Sequence, residues 1–503
     1  THLKDKRGRP RMSQLRPDVL SNLPSAVEVP AYDRTKVDVG IVHLGVGAFH
    51  RAHQEVYTDT VLAGGSTEWG ICGVDLMGPE VRDKLAPQDF LYTVATQSLD
   101  GQSLRVVGAM REMLVGPEDP EALLARMCDP AIRIVSITAT EKGYCHDPAS
   151  GKLNFDHPGI AADLKSPDRP TTVVGYVATA LRRRRDAGTP AFTVMSCDNL
   201  FQNGKIARMA VISFAEALDA NFGKWVADNV AFPCTMVDRI TPTTTPEDTA
   251  RVASDLGATD AWPVVCEPFM QWVIEDNFPT GRPAWEDAGA EIVEDVEPFE
   301  YMKLRHLNGS HSALSYLGSL AGYETIASCM EDPAYVNFMR TMMDEEITPT
   351  LDMPQGVDVG AYKDSLVERF TNPAIKHRTA QIAMDGSQKL PNRICGPVRE
   401  RLASGGSIGH LALVVAAWMR FATGVDEKGN SFDVADPIAA RLKAIAEAAG
   451  SDPAALVKGY LGVSDVFGDD LADAQPFVDA VTDWLASLYA KGAAATVAER
   501  YGS

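Results

Sequence analysis

The sequence predicts an α/β fold: a parallel sheet with helices on both faces in the N-terminal part, followed by a mostly α-helical C-terminal domain. Short β-branched runs alternate with helical stretches up to about residue 296, and helical stretches dominate beyond it. The chain of 503 residues is long enough for at least two domains, since a domain takes roughly 100–200 residues. We therefore expect one domain over residues 1–295 and a second over residues 296–503.

The N-terminal domain opens with a strand, a turn and a helix. The apolar run Val39–Leu44 predicts a buried strand, and the glycines after it predict a turn into a helix that begins near His50. Three further β-branched runs predict strands: WGICGVDL, RIVSITATEKGY and FTVMSCDNL. The stretches PEALLARM and VATALRRRRDAG predict helices between them. This alternation is typical of a parallel sheet that is covered on both faces.

In the C-terminal domain, apolar residues recur at helical spacing and β-branched runs are few. The predicted helices are YMKLRHLNGSHSALSYLGSLAG, AYVNFMRTMMDEEI, LALVVAAWMRFATG, PIAARLKAIAEAAG and PFVDAVTDWLASLYAKG. No low-complexity linker precedes them, so we expect the two domains to pack around a shared cleft.

The charge balance excludes some classes of partner. Lys and Arg number 47 and Asp and Glu number 68, which gives a net charge of −21 and repels both phosphate backbones and anionic lipids. No apolar run is long enough to span a bilayer. We therefore expect neither nucleic acid nor membrane as a partner. An anionic small molecule stays open as a substrate, since a few cations gathered in one cleft can outweigh a diffuse negative surface.

The spacing of the cysteines and the composition of the first residues indicate the cellular compartment. The eight cysteines are scattered singly, with no paired motif, so we expect reduced thiols in a cytoplasmic protein and no metal site. The first residues are basic without an apolar segment, so they are not a secretory signal. We expect residues 1–16 to form a flexible tail.

A dinucleotide-binding signal follows the first predicted strand. Gly45 and Gly47 match the first two glycines of a G-x-G-x-x-G fingerprint, while His50 stands at the third position. The first glycine permits a tight turn, and the second lets backbone N–H groups approach a pyrophosphate. Asp75 ends the second strand, where a carboxylate accepts a hydrogen bond from the ribose 2′-hydroxyl and favours NAD over NADP. A plain turn at the glycines, and a turn or helix cap at Asp75, are the alternatives.

The segment EPFEYMKLRHLNGSHSALSYLG gathers polar groups. At about 100° per residue from Lys303, Glu300 falls near 60°, His311 near 80° and Asn308 near 140°, so one helix face carries all four. Leu304 shares this arc, which indicates a buried face. Burial favours the neutral lysine, as a general base requires. Asn308 could donate to an alkoxide-like oxygen. A lysine and a histidine that merely extend from a helix end are the alternative.

A second polar patch follows the strand FTVM. It contains Asn199 in the sequence SCDNL, at the place where open α/β sheets bind ligands. Asn199 could complete the oxygen-binding pair with Asn308. The alternative is an Asx turn and helix cap.

Six motifs together carry a family resemblance: IVHLGVGAFHRAH, TEKGY, SCDNL..NG, MVDRI.P, KLR.LNGSH and DGSQK. From Val39 onward the chain resembles the mannitol dehydrogenase family of long-chain polyol and sugar-acid dehydrogenases. The resemblance implies a Rossmann-type N-terminal domain, a mostly helical C-terminal domain and a substrate bound between them without a metal. It implies a dehydrogenase, for which we expect NAD as cofactor.

The resemblance also implies residue roles. Lys303 resembles the catalytic base, Asn199 and Asn308 the two donors that stabilise the alkoxide, and His311 a residue that orients the substrate. Glu300 resembles the carboxylate that passes the proton from the lysine toward solvent.

The resemblance narrows the substrate as well. TEKGYCHDPASGKL and IKHRTAQIAMDGSQKLPNRI look more like fructuronate reductases, which interconvert D-fructuronate and D-mannonate, than like mannitol 2-dehydrogenases. The sugar acid carries a carboxylate that a cation should favour, and Arg378 and Lys389 are the candidates. Asp238 matches a position that lies near the substrate in the family that the chain resembles, and we expect it to have a structural role. Activity as a mannitol 2-dehydrogenase or D-arabinitol dehydrogenase, and a non-catalytic dinucleotide-binding protein, stay open. We expect a monomer.

Overall fold

The computed structural model describes residues 12–147 and 151–502. The chain divides into two units, of which the first ends at Glu297 and the second begins at Pro298; the sequence placed the boundary between residues 295 and 296. They are called the N-terminal and C-terminal units below.

Part of the segment predicted as a flexible tail, residues 1–16, is ordered in the structure. Ser13 and Gln14 pair in parallel with Ala258 and Thr259, and Leu15 is fully buried. Residues 13–15 are thus held by a strand partner and by burial, which the basic composition of the segment did not reveal. The prediction of a tail over residues 1–11 lies outside the described residues.

Within the described residues, the strands all belong to the N-terminal unit. They are β1 (Ser13–Gln14), β2 (Val39–Leu44), β3 (Gly70–Asp75), β4 (Tyr92–Ser98), β5 (Gly101–Val107), β6 (Met110–Val115), β7 (Ile134–Ile137), β8 (His146–Asp147), β9 (Lys152–Leu153), β10 (Thr193–Ser196), β11 (Thr235–Asp238), β12 (Ala258–Thr259), β13 (Val264–Cys266), β14 (Gln271–Glu275) and β15 (Glu291–Val293).

Five of these strands form a parallel sheet in the order β10-β7-β2-β3-β6. After β2 the chain continues first to one side, through β3 and β6, and then to the other, through β7 and β10. The order therefore reverses between β2 and β7, and ligands of open α/β sheets bind at such a switch point, beyond the carboxyl ends of the strands. Two three-stranded sheets, β11-β14-β15 and β13-β4-β5, lie in the same unit.

Apolar residues cover both faces of the parallel sheet, as predicted. Along β2, Val42 and Leu44 pack into one core cluster and Ile41 packs into another, because successive side chains point to opposite faces. Helices of the unit supply the rest: α1 (Ala48–Ala52), α2 (Gln54–Ala63), α3 (Glu80–Leu85), α4 (Pro120–Cys128), α5 (Thr140–Gly143), α6 (Pro158–Lys165), α7 (Val173–Asp186), α8 (Asn203–Leu218), α9 (Ala220–Asn229) and α10 (Pro246–Leu256).

The C-terminal unit is helical, as predicted. Its α-helices are α11 (Glu297–Met302, whose first residue ends the other unit), α12 (Gly309–Ala321), α13 (Ile326–Met330), α14 (Pro333–Met342), α15 (Val359–Thr371), α16 (Thr379–Ile382), α17 (Gly386–Leu390), α18 (Gly396–Ser404), α19 (Gly409–Ala422), α20 (Ala439–Ala449), α21 (Pro453–Leu461), α22 (Ser464–Phe467), α23 (Gln475–Lys491) and α24 (Ala493–Tyr501). Three π-helical turns interrupt them, at Lys303–Asn308, Met343–Ile347 and Pro391–Cys395.

Helix α19 forms the centre of this unit. It is buried on all sides from His410 to Ala422 and packs against α12, α14, α21 and α23. A helix that is apolar all round belongs inside a large core. Within the part of the chain that the structure describes, no helix is long and apolar enough to cross a bilayer.

Candidate active site

The glycine turn after β2 has the geometry that a dinucleotide requires. Gly45 has φ +98°, and a Cβ there would lie 2.2 Å from the carbonyl oxygen of Thr138, so only glycine fits. Gly47 precedes α1, and a Cβ at Gly47 would meet nothing within 4 Å. The space above Gly47 is therefore open, and a side chain would fill it. These residues fit a pyrophosphate group held on the backbone.

Two side chains hold this turn in place from β2 and β7. The Thr138 hydroxyl donates to the carbonyl oxygen of Gly45 at 2.7 Å. It lies 2.8 Å from Nε2 of His43, which must then donate, and Nδ1 of His43 lies 2.8 Å from the Ser136 hydroxyl. The turn is thus tied to the neighbouring strand as well as to its own.

His50, at the position of the third glycine, lies in the core and not against a ligand. Its ring stacks on His43 with centroids 3.3 Å apart, and its Nε2 lies 3.2 Å from Oε1 of the buried Glu55. Burial lowers the pKa of His50 to about 3 and raises the pKa of Glu55 to about 8. Near neutral pH the two groups therefore form an uncharged pair. The helix begins at Ala48, before the expected position, and is interrupted at His53.

Asp75 forms the turn that the sequence offered as one of its two interpretations. Its Oδ1 accepts from the backbone N–H groups of Met77 at 2.8 Å and Gly78 at 3.3 Å, which is an Asx turn. Among the described residues, no hydrogen bond reaches its Oδ2. Asp75 ends β3, the strand beside β2. One carboxylate oxygen therefore shapes the turn, and the other can accept from a ribose hydroxyl.

Asn199 lies on an anchored loop between β10 and α8. The side chain of Asp198 before it is buried, whereas Asn199 is exposed. Nδ2 of Asn203 donates to the carbonyl oxygen of Asp198 at 2.9 Å and to that of Thr235, also at 2.9 Å. The loop that carries the exposed Asn199 is thus fixed through the backbone of its neighbour Asp198. Asp238 is buried at the end of β11, opposite Gln271 in the register of that sheet.

The segment with Lys303 departs from the predicted continuous α-helix. Lys303–Asn308 is a π-helical turn, in which the N–H of Gly309 donates to the carbonyl oxygen of Leu304, five residues earlier. Such turns occur often at functional sites. In an α-helix Lys303 and Asn308 would lie about 140° apart around the helix axis. A turn whose hydrogen bond spans five residues brings them closer to the same side of the axis. Glu300 lies in α11, one turn before Lys303.

Arg305 and Arg393 fix the π-helical turn from two sides. Nη1 of Arg305 donates to the carbonyl oxygen of Thr350 at 2.6 Å, and its guanidinium pairs with Glu400 at 2.6 Å. Nη1 of Arg393 donates to the carbonyl oxygen of Asn308 at 3.3 Å and to the Ser312 hydroxyl at 3.2 Å. The two planar guanidinium groups thereby limit how Lys303 and Asn308 can move.

His311 lies among cationic groups. Burial is the largest cause that lowers the pKa of His311 well below its usual value. Four neighbouring residues act in the same direction through the positive charge that they carry when protonated: His377, Arg369, Arg393 and Lys389. Its Nε2 is buried with no hydrogen-bond partner among the described residues, so this nitrogen can receive a ligand group. Burial lowers the pKa of His377 to about 4. Both histidines are therefore neutral near pH 7, and arginine and lysine supply the positive charge.

Of the predicted cations, Lys389 lies in this group. Burial lowers its pKa, with Arg393 as the next cause, and its ammonium donates to the carbonyl oxygen of Ile382 at 3.0 Å. Arg378 is exposed at the start of α16. The sequence analysis missed Arg393, which follows Lys389 by four residues and so repeats a positive charge at helical spacing in DGSQKLPNRI. Burial lowers the pKa of Arg393 to about 10.

No group of three or more metal-binding side chains occurs within residues 12–147 and 151–502.

Two family models match the chain over most of its length. The mannitol dehydrogenase Rossmann domain matches residues 39–287, and the mannitol dehydrogenase C-terminal domain matches residues 295–489.

Curated proteins and a solved structure are similar over nearly the whole chain. A D-mannonate oxidoreductase of Escherichia coli is 50% identical over 95% of this chain and 98% of its own. A mannitol 2-dehydrogenase of Pyrenophora tritici-repentis is 44% identical over 94% of this chain and 84% of its own. A Pseudomonas fluorescens mannitol 2-dehydrogenase, solved as a ternary complex with NAD and D-mannitol, is 42% identical with a TM-score of 0.83, covering 97% of this chain and 100% of that one.

The uncharged His50–Glu55 pair predicts a pH-dependent stability. Glu55 has a usual pKa of 4.5 and a folded pKa of about 8, so between these values the unfolded chain releases a proton that the folded protein keeps. Its contribution to stability is full below pH 4.5 and is lost as pH rises toward 8. We expect the melting temperature of Glu55→Gln minus that of the parent, both measured by calorimetry, to be larger at pH 8 than at pH 5. Glu80→Gln, at an exposed position, is the control. An equal difference at both pH values would contradict a protonated Glu55.

Proposed function

The chain belongs to the mannitol dehydrogenase family, and from that premise we propose that it is an NAD-dependent oxidoreductase acting at C2 of a sugar acid. The proposed reaction interconverts D-mannonate and D-fructuronate. The cationic groups around the unpartnered Nε2 of His311 carry this proposal, because they suit a substrate that bears a carboxylate.

In the proposed mechanism, Lys303 takes the proton of the C2 hydroxyl. The Lys303 side chain is buried, as is Glu300 one turn before it, and burial favours the neutral amine that a base requires. Glu300 then passes the proton on toward solvent. The amide groups of Asn308 and Asn199 donate to the oxygen as it becomes alkoxide-like. His311 receives a neighbouring hydroxyl at Nε2.

The cofactor supplies the hydride acceptor when it is bound. The backbone at Gly45 and Gly47 would hold its pyrophosphate, and Oδ2 of Asp75 would accept from the ribose 2′-hydroxyl. A 2′-phosphate would meet the Asp75 carboxylate, so this residue favours NAD. The solved relative that binds NAD together with D-mannitol agrees with this choice of cofactor.

The choice of sugar acid rests on charge. Mannitol carries a terminal CH₂OH where mannonate carries a carboxylate, and only the carboxylate gains from a nearby guanidinium. Arg393 is the best candidate, since among the described residues no carboxylate pairs with it. Lys389 adds a second charge, while the exposed Arg378 is the weaker candidate. Asp238, buried at a strand end, is assigned a supporting structural role.

Cellular location and oligomeric state are parts of the same proposal. All eight cysteines are free thiols, which suits the cytoplasm. A monomer is proposed from the family resemblance alone.

Replacing the base tests the mechanism. We expect Lys303→Ala to lower kcat by about 10²–10⁴-fold, the range for loss of a general base, with little change in NADH affinity measured by fluorescence titration. Lys458→Ala, at an exposed position of α21, should keep the parent rate. A Lys303→Ala variant that turns over at the parent rate would exclude the lysine as base.

Replacing Arg393 tests the substrate. We expect the parent protein to reduce D-fructuronate with a higher kcat/KM than D-fructose. Arg393→Met should lower kcat/KM for both sugars, because Arg393 also donates to the carbonyl oxygen of Asn308. The loss should be about 10- to 100-fold greater for D-fructuronate than for D-fructose, since a hydrogen bond to a charged group contributes about 1.5–3 kcal/mol. Arg441→Met, an exposed member of an ion pair with Asp465, is the charge-matched control.

The outcomes separate the alternatives. A parent protein that prefers D-fructose would be a mannitol 2-dehydrogenase. One that reduces neither sugar would next be assayed with other ketoses, as for a D-arabinitol dehydrogenase, and inactivity with all of them would support a non-catalytic dinucleotide-binding protein.

A further inference from the structure

We propose that Asp198 and Tyr144 form a clamp that positions Asn199 relative to the cofactor turn. The clamp consists of the side chains of these two residues together with the backbone N–H groups of Ala139 and Thr140. Asp198 and Tyr144 are positioning residues, because they act through Asn199 and do not touch the reacting atoms. The inference rests on the proposed function, since it takes Asn199 as a donor to the substrate oxygen.

The clamp joins the loop after β7 to the loop after β10. Oδ2 of Asp198 accepts from the Tyr144 hydroxyl at 2.6 Å and from the N–H of Ala139 at 3.1 Å, and its Oδ1 accepts from the N–H of Thr140 at 2.8 Å. The Tyr144 hydroxyl also lies 2.5 Å from that of Ser196. Both carboxylate oxygens are therefore used inside the protein, and the residue that follows, Asn199, is the one left exposed.

The loop after β7 needs such a restraint. Thr140 has φ +61°, a left-handed conformation that is a genuine outlier for a β-branched residue. Strained residues of this kind persist only where the surroundings hold them, and they cluster at functional sites. The hydrogen bond from the N–H of Thr140 to Asp198 supplies that hold.

A chain of hydrogen bonds continues from the clamp to the cofactor turn. Thr138, next to Ala139, donates to the carbonyl oxygen of Gly45 at 2.7 Å. On the other side, Asn203 holds the backbone of Asp198 at 2.9 Å. Asn199 and Gly45 are thus linked through a few residues at the carboxyl ends of three neighbouring strands, β10, β7 and β2. A donor to the C2 oxygen needs this link, because that oxygen must stay fixed relative to the hydride acceptor.

Stability alone gives a weak reason for this arrangement. A buried carboxylate loses its hydration, and well-packed apolar side chains often serve a core as well or better. Burial raises the pKa of Asp198, although Tyr144 and the two N–H groups act in the opposite direction. The Asp198 carboxylate is therefore present despite the cost of its desolvation, and it lies directly before Asn199, the proposed donor.

A double-mutant cycle tests the clamp. Tyr144→Phe removes one hydroxyl and keeps the ring, and we expect it to lower kcat about tenfold while the KM for NADH is unchanged. In the Asn199→Ala background the same change should have no further effect on kcat, because the donor it positions is gone. Tyr176→Phe is the matched control, a buried phenol that donates to the carbonyl oxygen of Gly116 at 3.2 Å. It should leave kcat at the parent value in both backgrounds.

Equal losses in the two backgrounds, or full activity of Tyr144→Phe, would overturn the proposal. Amide hydrogen exchange gives a second reading that does not depend on turnover. Tyr144→Phe should speed exchange in both loops, residues 138–144 and 196–203, and Tyr176→Phe should not. If the parent reduces neither D-fructuronate nor D-fructose, the proposed function has failed and exchange alone decides the clamp: unchanged exchange in the loop of Asp198 overturns it, and faster exchange in both loops supports it.

Discussion

The π-helical turn Lys303–Asn308 is the constraint on which the proposed roles of Lys303 and Asn308 depend. Hydrogen bonds that span five residues bring the first and last residues of the turn closer to one line than an α-helix would. A base and an oxygen-binding donor must reach the same hydroxyl group, so this spacing matters for chemistry. Arg305, within the turn, donates to the carbonyl oxygen of Thr350, and Arg393 donates to the carbonyl oxygen of Asn308 at the end of the turn. Two arginines thus anchor the unusual backbone to neighbouring segments.

In the N-terminal unit, hydrogen bonds between loops at one edge of the parallel sheet provide the corresponding restraint. Thr138 ties the glycine turn to β7, and Asp198 ties the loop after β7 to that after β10. Of these side chains Asp198 is buried and Thr138 is half-buried, whereas Asn199, directly after Asp198, is exposed. The buried residue thus restrains the loop, and its exposed neighbour is the one proposed to meet the substrate.

Much of the fold follows from sequence patterns, and the local geometry of the site does not. β2 spans Val39–Leu44 as predicted, because a short apolar run before glycines has few alternatives. The π-helical turn was not foreseen, since one extra residue hardly disturbs the apolar periodicity that predicts a helix. Arg393 was missed because its contact with the carbonyl oxygen of Asn308 joins segments far apart in the chain. The roles of the predicted site residues stay predictions until variants are measured.

The most direct test of the central claim, that Lys303 is the base, is chemical rescue. Lys303→Ala would be assayed in the alcohol-oxidation direction with increasing concentrations of small primary amines. The account predicts that turnover rises with the concentration of unprotonated amine, and that more basic amines of equal size rescue better, because the amine takes the proton that Lys303 would have taken. Turnover that no amine restores, or that depends only on total ionic strength, would contradict the assignment.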